Sequence, residues 1–493
     1  MNKPTIKTLG ELRASGYKSR SIKAEMRNNL IPLLKAGKHP FHGIHGFQDS
    51  VLPAVERGIL AEHDILLLGL RGQAKTRIAR QMVELLDPWI PVIKGSELGE
   101  DPLAPITSEQ QLLVASRGDD TEIDWVSRED RFFEKLATPD TTVADLIGDI
   151  DPIKAANEKL SFSDDRVIHY GMIPRAHRSI FVINELPDLQ PRLQVSLFNI
   201  LQEGDIQIRG FQKRLQLDLQ FVFTANPEDY TNRGSIVTPL KDRIGSQIHT
   251  HYPKTLDTAL QITAQETQQI SSLYPNVEIS SLAKEIIEQL AFSARESSYV
   301  DSGSGVSARM TISAYQALIT TAERRRLIEG ATTTLVRLSD FYGTISALVG
   351  KVELVYEGEQ EGAQNVAENL LGQAVKASYE RYFPKFRNLK RTNENNPFLE
   401  LQNWFAQGGK IELYDEFSMA EYSAALDIVP LNLFISNHWN HQIDAPIEFL
   451  KEMVLWALAE YSQLNKERTN IKTNFNDLFG NMISGLSDEN EQV

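Results

Sequence analysis

Residues 64–80 read DILLLGLRGQAKTRIAR. The apolar run Ile65–Leu68 stops at Gly69, and a glycine-containing turn carries the chain to Lys75-Thr76. Ile78, Met82 and Leu85 then recur at the spacing of one helical face. The order is strand, loop, helix. The loop is one residue away from G-x-x-x-x-G-K-[ST], whose backbone N–H groups cradle phosphates while the lysine reaches the terminal phosphates and the hydroxyl meets Mg²⁺. The expected nucleotide contacts are Gly69, Leu70, Arg71, Gly72, Gln73, Ala74, Lys75, Thr76 and Arg77. Ala74 stands where the second glycine is expected. Its methyl is tolerated at negative φ, whereas a glycine-only φ would cost about 1–2 kcal/mol.

An acidic element is expected about a hundred residues later, at the end of a buried strand. Ser179-Ile-Phe-Val-Ile183 ends in Asn184-Glu185, where the usual pair is Asp-Glu. Glu185 is placed to polarise the attacking water as a general base. Asn184 is the second departure: its amide oxygen can face a metal-bound water but brings no negative charge. Thr76 and Asn184 are the expected Mg²⁺-side residues, and the change Asn184→Asp is expected to raise Mg²⁺ affinity. The strand Gln220–Ala225 ends at Asn226-Pro227, and Asn226 can position the water against the γ-phosphate. Arg243, in TPLKDRIG, sits at a helix end from which it could reach a neighbouring subunit's phosphate. Arg233 is the reserve for that role. Arg309, in GVSAR, opens a later helix and could meet the γ-phosphate when that domain closes.

Composition sets the outer limits. The chain has 493 residues, with 41% hydrophobic and 24% charged, as in ordinary globular proteins. No apolar run reaches the roughly 18 residues of a membrane helix, and the basic start, MNKPTIKTLGELRASGYKSRSIK, lacks the apolar core of a signal peptide. Cysteine is absent, which excludes thiol chemistry and fits a cytoplasmic setting. A net charge of −15 argues against a nucleic-acid partner.

Short apolar strands alternate with helical patterns from residue 64 to about 252, the mark of a parallel α/β sheet. Four strands are legible: Ile65–Leu68, Ile180–Ile183, Phe221–Thr224 and Gln247–His251. The polar, proline-bearing stretch 87–130 reads as an insertion. Four regions follow: a basic N-terminal extension at 1–40, an α/β nucleotide-binding core at 41–253, a helical lid at 254–350 and a mostly helical region at 351–493. Within the last, 360–385 is helical, 388–398 is linker-like, 446–464 holds an amphipathic helix, and SDENEQV is an expected disordered tail.

This order of elements resembles AAA+ ATPases, and within them the magnesium-chelatase ATPase subunit and MoxR-like group. The resemblance covers about residues 40–350 and is carried by HGFQ (45–48), GLRGQAKT, ATPDTTVADLIGDIDP (137–152), the run 176–210, FTANPEDY (223–230), TPLKDRIG and GVSAR. It implies an AAA+ core with a five-stranded parallel sheet in the order 5-1-4-3-2, followed by a helical lid. It also implies a helix insert near 150–172 and a β-hairpin near 204–219. ATP and Mg²⁺ would be the cofactors, a hexameric ring the assembly, and a von Willebrand factor A domain protein the partner, with the machine remodelling a client or inserting metal into it. Ala74 and Asn184 imply slow hydrolysis. Two alternatives stay open: a nucleotide-gated scaffold that rarely turns over, and a sigma-54-type transcriptional activator. The stretch LFNILQEGDIQIRG resembles the activators, although their G-A-F-T-G-A loop and a helix-turn-helix are not evident.

Overall fold

The computed structural model describes residues 3–151, 153, 156–157, 165–208, 214–227, 234–386, 396–469 and 471–478. The chain divides into two compact units, Met1–Tyr252 and Pro253–Val493.

The first unit is built on a parallel sheet of β1 (Ile65–Leu68), β2 (Phe132–Leu136), β3 (Ser179–Asn184), β4 (Leu219–Ala225) and β5 (Ser246–His249). Their order is β5-β1-β4-β3-β2. That is the 5-1-4-3-2 order the resemblance implies. The three central strands are almost continuously apolar because both faces are covered. Successive side chains point to opposite faces. Leu66, Leu68, Phe181, Ile183, Phe221 and Phe223 therefore enter one hydrophobic cluster, and Ile65, Leu67, Ile180, Val182 and Val222 enter another.

β2 is the strand that the sequence reading did not name. FFEKL is a half-buried edge strand with no apolar run to mark it. The stretch 87–130 forms a separate antiparallel pair, Trp89–Ile93 with Ile123–Ser127, and the helix Ser108–Arg117 lies between the two strands in sequence. Gly148–Ile150 pairs with Ile168–Tyr170 where the helix insert is expected, and most of 152–164 lies outside the described residues. The expected hairpin is present as Asp205–Gln207 against Arg214–Gln216, with 209–213 outside the described residues.

The N-terminal stretch holds more structure than its polar composition suggests. Helix α1 (Ile22–Lys35) buries Ile22, Met26 and Leu30, four apart on one face, in the cluster that contains Val182. Ser21 caps it by accepting from the Ala24 N–H at 3.2 Å, and Asp218 accepts from the Ile22 N–H at 2.8 Å. Buried Glu25 pairs with buried Arg131 through two bonds of 2.7 Å. Helix α2 (Val51–Leu60) follows, then α3 (Lys75–Gln81) directly after the loop, and α4 (Thr238–Arg243) before β5.

In the second unit one hydrophobic cluster runs from Val277 to Phe475 and takes in helix α5 (Ala308–Glu329) and helix α6 (Ile447–Glu460). A three-stranded antiparallel sheet, Ile411–Tyr414, Lys472–Asp477 and Leu464–Arg468, completes it. The expected amphipathic helix near 446–464 is in fact buried all round, from Phe449 to Leu458. Two of its buried polar groups find partners: Lys451 bonds Asp427, and Glu452 Oε2 accepts from the Tyr422 hydroxyl and, at 3.1 Å, from the Ser339 N–H. The linker-like residues 388–395 and the tail SDENEQV lie outside the described residues.

Candidate functional site

β1 delivers the chain to Gly69, whose N–H donates to the Ala225 carbonyl at 3.1 Å and ties the loop to the end of β4. From the other side the Thr250 N–H donates to the Leu68 carbonyl at 2.7 Å, and the Thr250 hydroxyl donates to Gln73 Oε1 at 2.6 Å. A Cβ at Gly69 would overlap Thr250 Oγ1, so glycine is required there by close approach. Gly72 sits at φ +73. Ala74 sits at φ +54, ψ 15, in the left-handed region. The glycine-only case therefore applies, and the methyl costs about 1–2 kcal/mol of backbone strain.

That backbone wraps around the lysine. Lys75 is 8% exposed. Its ammonium donates to the Gly69 carbonyl, to the Leu70 carbonyl at 2.9 Å and to Asn226 Oδ1 at 2.7 Å. The Asn226 amide in turn donates to Glu185 Oε2 at 2.8 Å. One orientation of the amide serves both neighbours, with oxygen to the ammonium and nitrogen to the carboxylate. Glu185 also sits in the left-handed region, at φ +54, ψ 52. Strain of this kind, of order 1–3 kcal/mol per residue, concentrates where function fixes a side chain. Ala74 and Glu185 are two of six non-glycine residues at positive φ among the described residues.

The network continues across the sheet. The buried Thr224 hydroxyl accepts from the Glu185 N–H at 3.2 Å and donates to Asn184 Oδ1 at 3.0 Å. Asn184 Nδ2 donates to Glu134 Oε1 at 2.6 Å, and Arg80 holds the other oxygen of Glu134 through Nε at 3.0 Å and Nη2 at 2.8 Å. The structure thus connects four residues expected from the sequence: Lys75, Asn184, Glu185 and Asn226. Thr224, Glu134 and Arg80 were missed. Thr224 lies inside a strand, and Glu134 lies on the strand that carried no signal. Their roles become visible once β4, β3 and β2 are known to be neighbours.

The other expected residues lie as follows. Thr76 and Leu70 are half-buried beside the lysine, while Arg71 and Arg77 are exposed. The Tyr252 hydroxyl donates to the Arg71 carbonyl at 3.0 Å. Arg243, at the end of α4, is engaged within its own chain by Gln202 Oε1 at 3.1 Å and the Pro239 carbonyl at 2.8 Å, and it lies 4.8 Å over the Phe198 ring. Arg309 is exposed in the first turn of α5, in the second unit, where Ser307 Oγ caps its N–H at 3.1 Å. Arg233 lies outside the described residues.

The donor set fits a nucleotide and Mg²⁺. Lys75 supplies a buried ammonium, Thr76 follows it in the chain, and Glu185 and Asn184 offer hard oxygens on the hydrogen-bond network that starts at the lysine. No group of three or more His, Asp or Glu that could cage a metal occurs among the described residues. Mg²⁺ suits such a place because it keeps most of its waters and relies on substrate phosphates.

Residues 123–244 match the family model of the AAA domain, dynein-related subfamily. The matched stretch begins after the phosphate loop and contains β2, β3, β4 and α4. Among solved structures, NtrX from Brucella abortus in complex with ADP is 13% identical at a TM-score of 0.37, over 64% of this chain and 59% of that one. A protein from Cytophaga hutchinsonii is 17% identical at a TM-score of 0.28, over 74% of this chain and 98% of that one. The BchI–BchD complex of magnesium chelatase matches at 18% identity and a TM-score of 0.33, over 65% of this chain and 98% of that one. The family match and the β5-β1-β4-β3-β2 sheet together give the first unit the fold of an AAA+ core.

Proposed function

We propose that the protein binds ATP with Mg²⁺ in the loop Gly69–Arg77 and hydrolyses it slowly, working as a ring-forming machine that remodels a client or inserts metal into it. The observation that carries this reading is the chain Lys75–Asn226–Glu185, with links of 2.7 and 2.8 Å, in which Lys75 and Asn226 are buried and Glu185 half-buried. A cation suited to phosphate, an amide suited to positioning water and a carboxylate suited to act as base follow one another along these two bonds, which supports the reading.

Lys75 exchanges its loop carbonyls for the β- and γ-phosphate oxygens, a stronger charge-assisted pairing. Asn226 holds the attacking water and keeps Glu185 turned toward it. Glu185 takes the proton as the water oxygen bonds to the γ-phosphorus and the bond to the ADP oxygen breaks. Thr76 and Asn184 would hold Mg²⁺, which when bound neutralises charge developing on the phosphates. Arg243 of one copy would serve the nucleotide of its neighbour, and Arg309 would respond to the γ-phosphate. A partner with a von Willebrand factor A domain would supply the client.

A second reading is favoured by Ala74 and Asn184: the strained loop and the uncharged metal side suit a scaffold that binds ATP, assembles and rarely turns over. Steady-state phosphate release by the purified protein with Mg²⁺ tests the choice. Turnover above background supports the machine. Tight binding without turnover supports the scaffold.

A further inference from the structure

Asn184 removes a negative charge from the position that faces the metal, yet a carboxylate stands immediately beside it. Glu134 Oε1 accepts from Asn184 Nδ2 at 2.6 Å. The register places Glu134 opposite Val182 and Leu136 opposite Asn184, so Glu134 and Asn184 project from the same face of adjacent strands. Arg80 fixes the second oxygen of Glu134. Arg80 lies four residues after Thr76 and so shares its side of α3. The residue expected to touch Mg²⁺ and the residue that anchors Glu134 therefore point the same way.

We infer that Glu134 supplies the carboxylate charge of the Mg²⁺ site, acting through Asn184 as a positioning residue, with the acidic function moved from β3 to β2. This rests on the ATP reading above. Asn184 spends its Nδ2 on Glu134 and turns its Oδ1 toward the Thr224 side, so the amide is oriented by the carboxylate behind it. Such outer partners change metal affinity by about 10–100-fold. The arrangement also alters what the change Asn184→Asp would do. The carboxylate it introduces would meet the Glu134 carboxylate where an amide now donates, and the repulsion would oppose the gain expected from sequence alone.

The test measures the Mg²⁺ concentration that half-tightens binding of a slowly hydrolysed ATP analogue, by calorimetry, with Mn²⁺ spin resonance as a direct metal readout. Glu134→Gln keeps a bond to Arg80 and is expected to raise that concentration about tenfold, with analogue affinity in chelator unchanged. Asn184→Asp alone is expected to gain nothing, and Glu134→Gln combined with Asn184→Asp is expected to restore the wild-type requirement. A folded Glu134→Gln protein with wild-type Mg²⁺ dependence overturns the inference, as does an Asn184→Asp protein that tightens Mg²⁺ while the double variant does not recover. Wild-type protein that binds no analogue with or without Mg²⁺ instead overturns the ATP reading itself.

Discussion

Lys75 Nζ lies 2.7 Å from Asn226 Oδ1, and both residues are more than nine-tenths buried. The lysine is thus held by Asn226, which directly follows β4 and lies 151 residues further along the chain. Its other acceptors are two carbonyls of its own loop. A phosphate entering the loop competes for the same ammonium, and losing the lysine leaves Asn226 facing the loop without its charge partner. On the proposed function, phosphate binding at Lys75 would be coupled to the orientation of Glu185 through one amide.

That coupling makes Glu185→Gln informative. The new amide oxygen can still accept from Asn226 Nδ2, so nucleotide affinity should stay within about threefold of wild type. Turnover should fall by about 10²-fold or more, because an amide cannot take the water's proton. Stopped-flow binding and phosphate release on the same sample separate the two quantities, and unchanged turnover would assign the base elsewhere.

Ala74→Gly should relieve the left-handed backbone. The steric cost of about 1–2 kcal/mol is partly offset by the larger entropy that glycine has in the unfolded chain. A net stabilisation of about 0.5–1 kcal/mol is expected, read as a higher urea midpoint for the first unit. Destabilisation would mean that the methyl contributes packing outweighing its strain.

Arg243→Ala concerns assembly. The local contacts with Gln202, Pro239 and Phe198 are partly exposed, so their loss should lower subunit stability by no more than about 1 kcal/mol. ATP binding by single subunits should hold, while ATP-dependent association and turnover weaken. Sedimentation velocity with a slowly hydrolysed analogue checks this. Identical distributions for variant and wild type, with equal turnover, would remove Arg243 from the interface.

Glu452 sets a pH dependence in the second unit. It is fully buried, burial pushes its pKa up to about 7, and Oε1 has no hydrogen-bond partner among the described residues. A carboxyl whose folded pKa is raised favours the protonated form. Its contribution is most favourable below the unfolded value of 4.5 and is lost as pH rises toward 7. At about 1.4 kcal/mol per pKa unit, Glu452→Gln should stabilise the unit by up to about 2–3 kcal/mol at pH 8 and have little effect at pH 4.5. Urea melts at the two pH values test the sign, and an equal effect at both would show that ionisation is not the cause.

Much of the first unit was legible because β1, β3 and β4 are buried on both faces and read as apolar runs. β2 was not, since FFEKL is a half-buried edge strand without an apolar run and follows a long polar stretch. α1 was hidden for a related reason: three apolar residues, Ile22, Met26 and Leu30, sit among charged ones, one of which is the buried Glu25. At the site, Lys75, Glu185 and Asn226 could be placed from strand ends alone. Thr224 and Glu134 could not, because their meaning depends on which strands are adjacent. The sequence also left the sign of φ at Ala74 open.

The central claim is that Lys75 binds the terminal phosphates of ATP. Calorimetry of wild-type and Lys75→Ala protein with ATP and Mg²⁺ tests it most directly, with circular dichroism to confirm the fold. Removing a buried cation that pairs with phosphate should weaken binding by about 10²-fold or more, leaving little measurable heat. A folded Lys75→Ala protein that binds ATP as tightly as wild type would contradict the account.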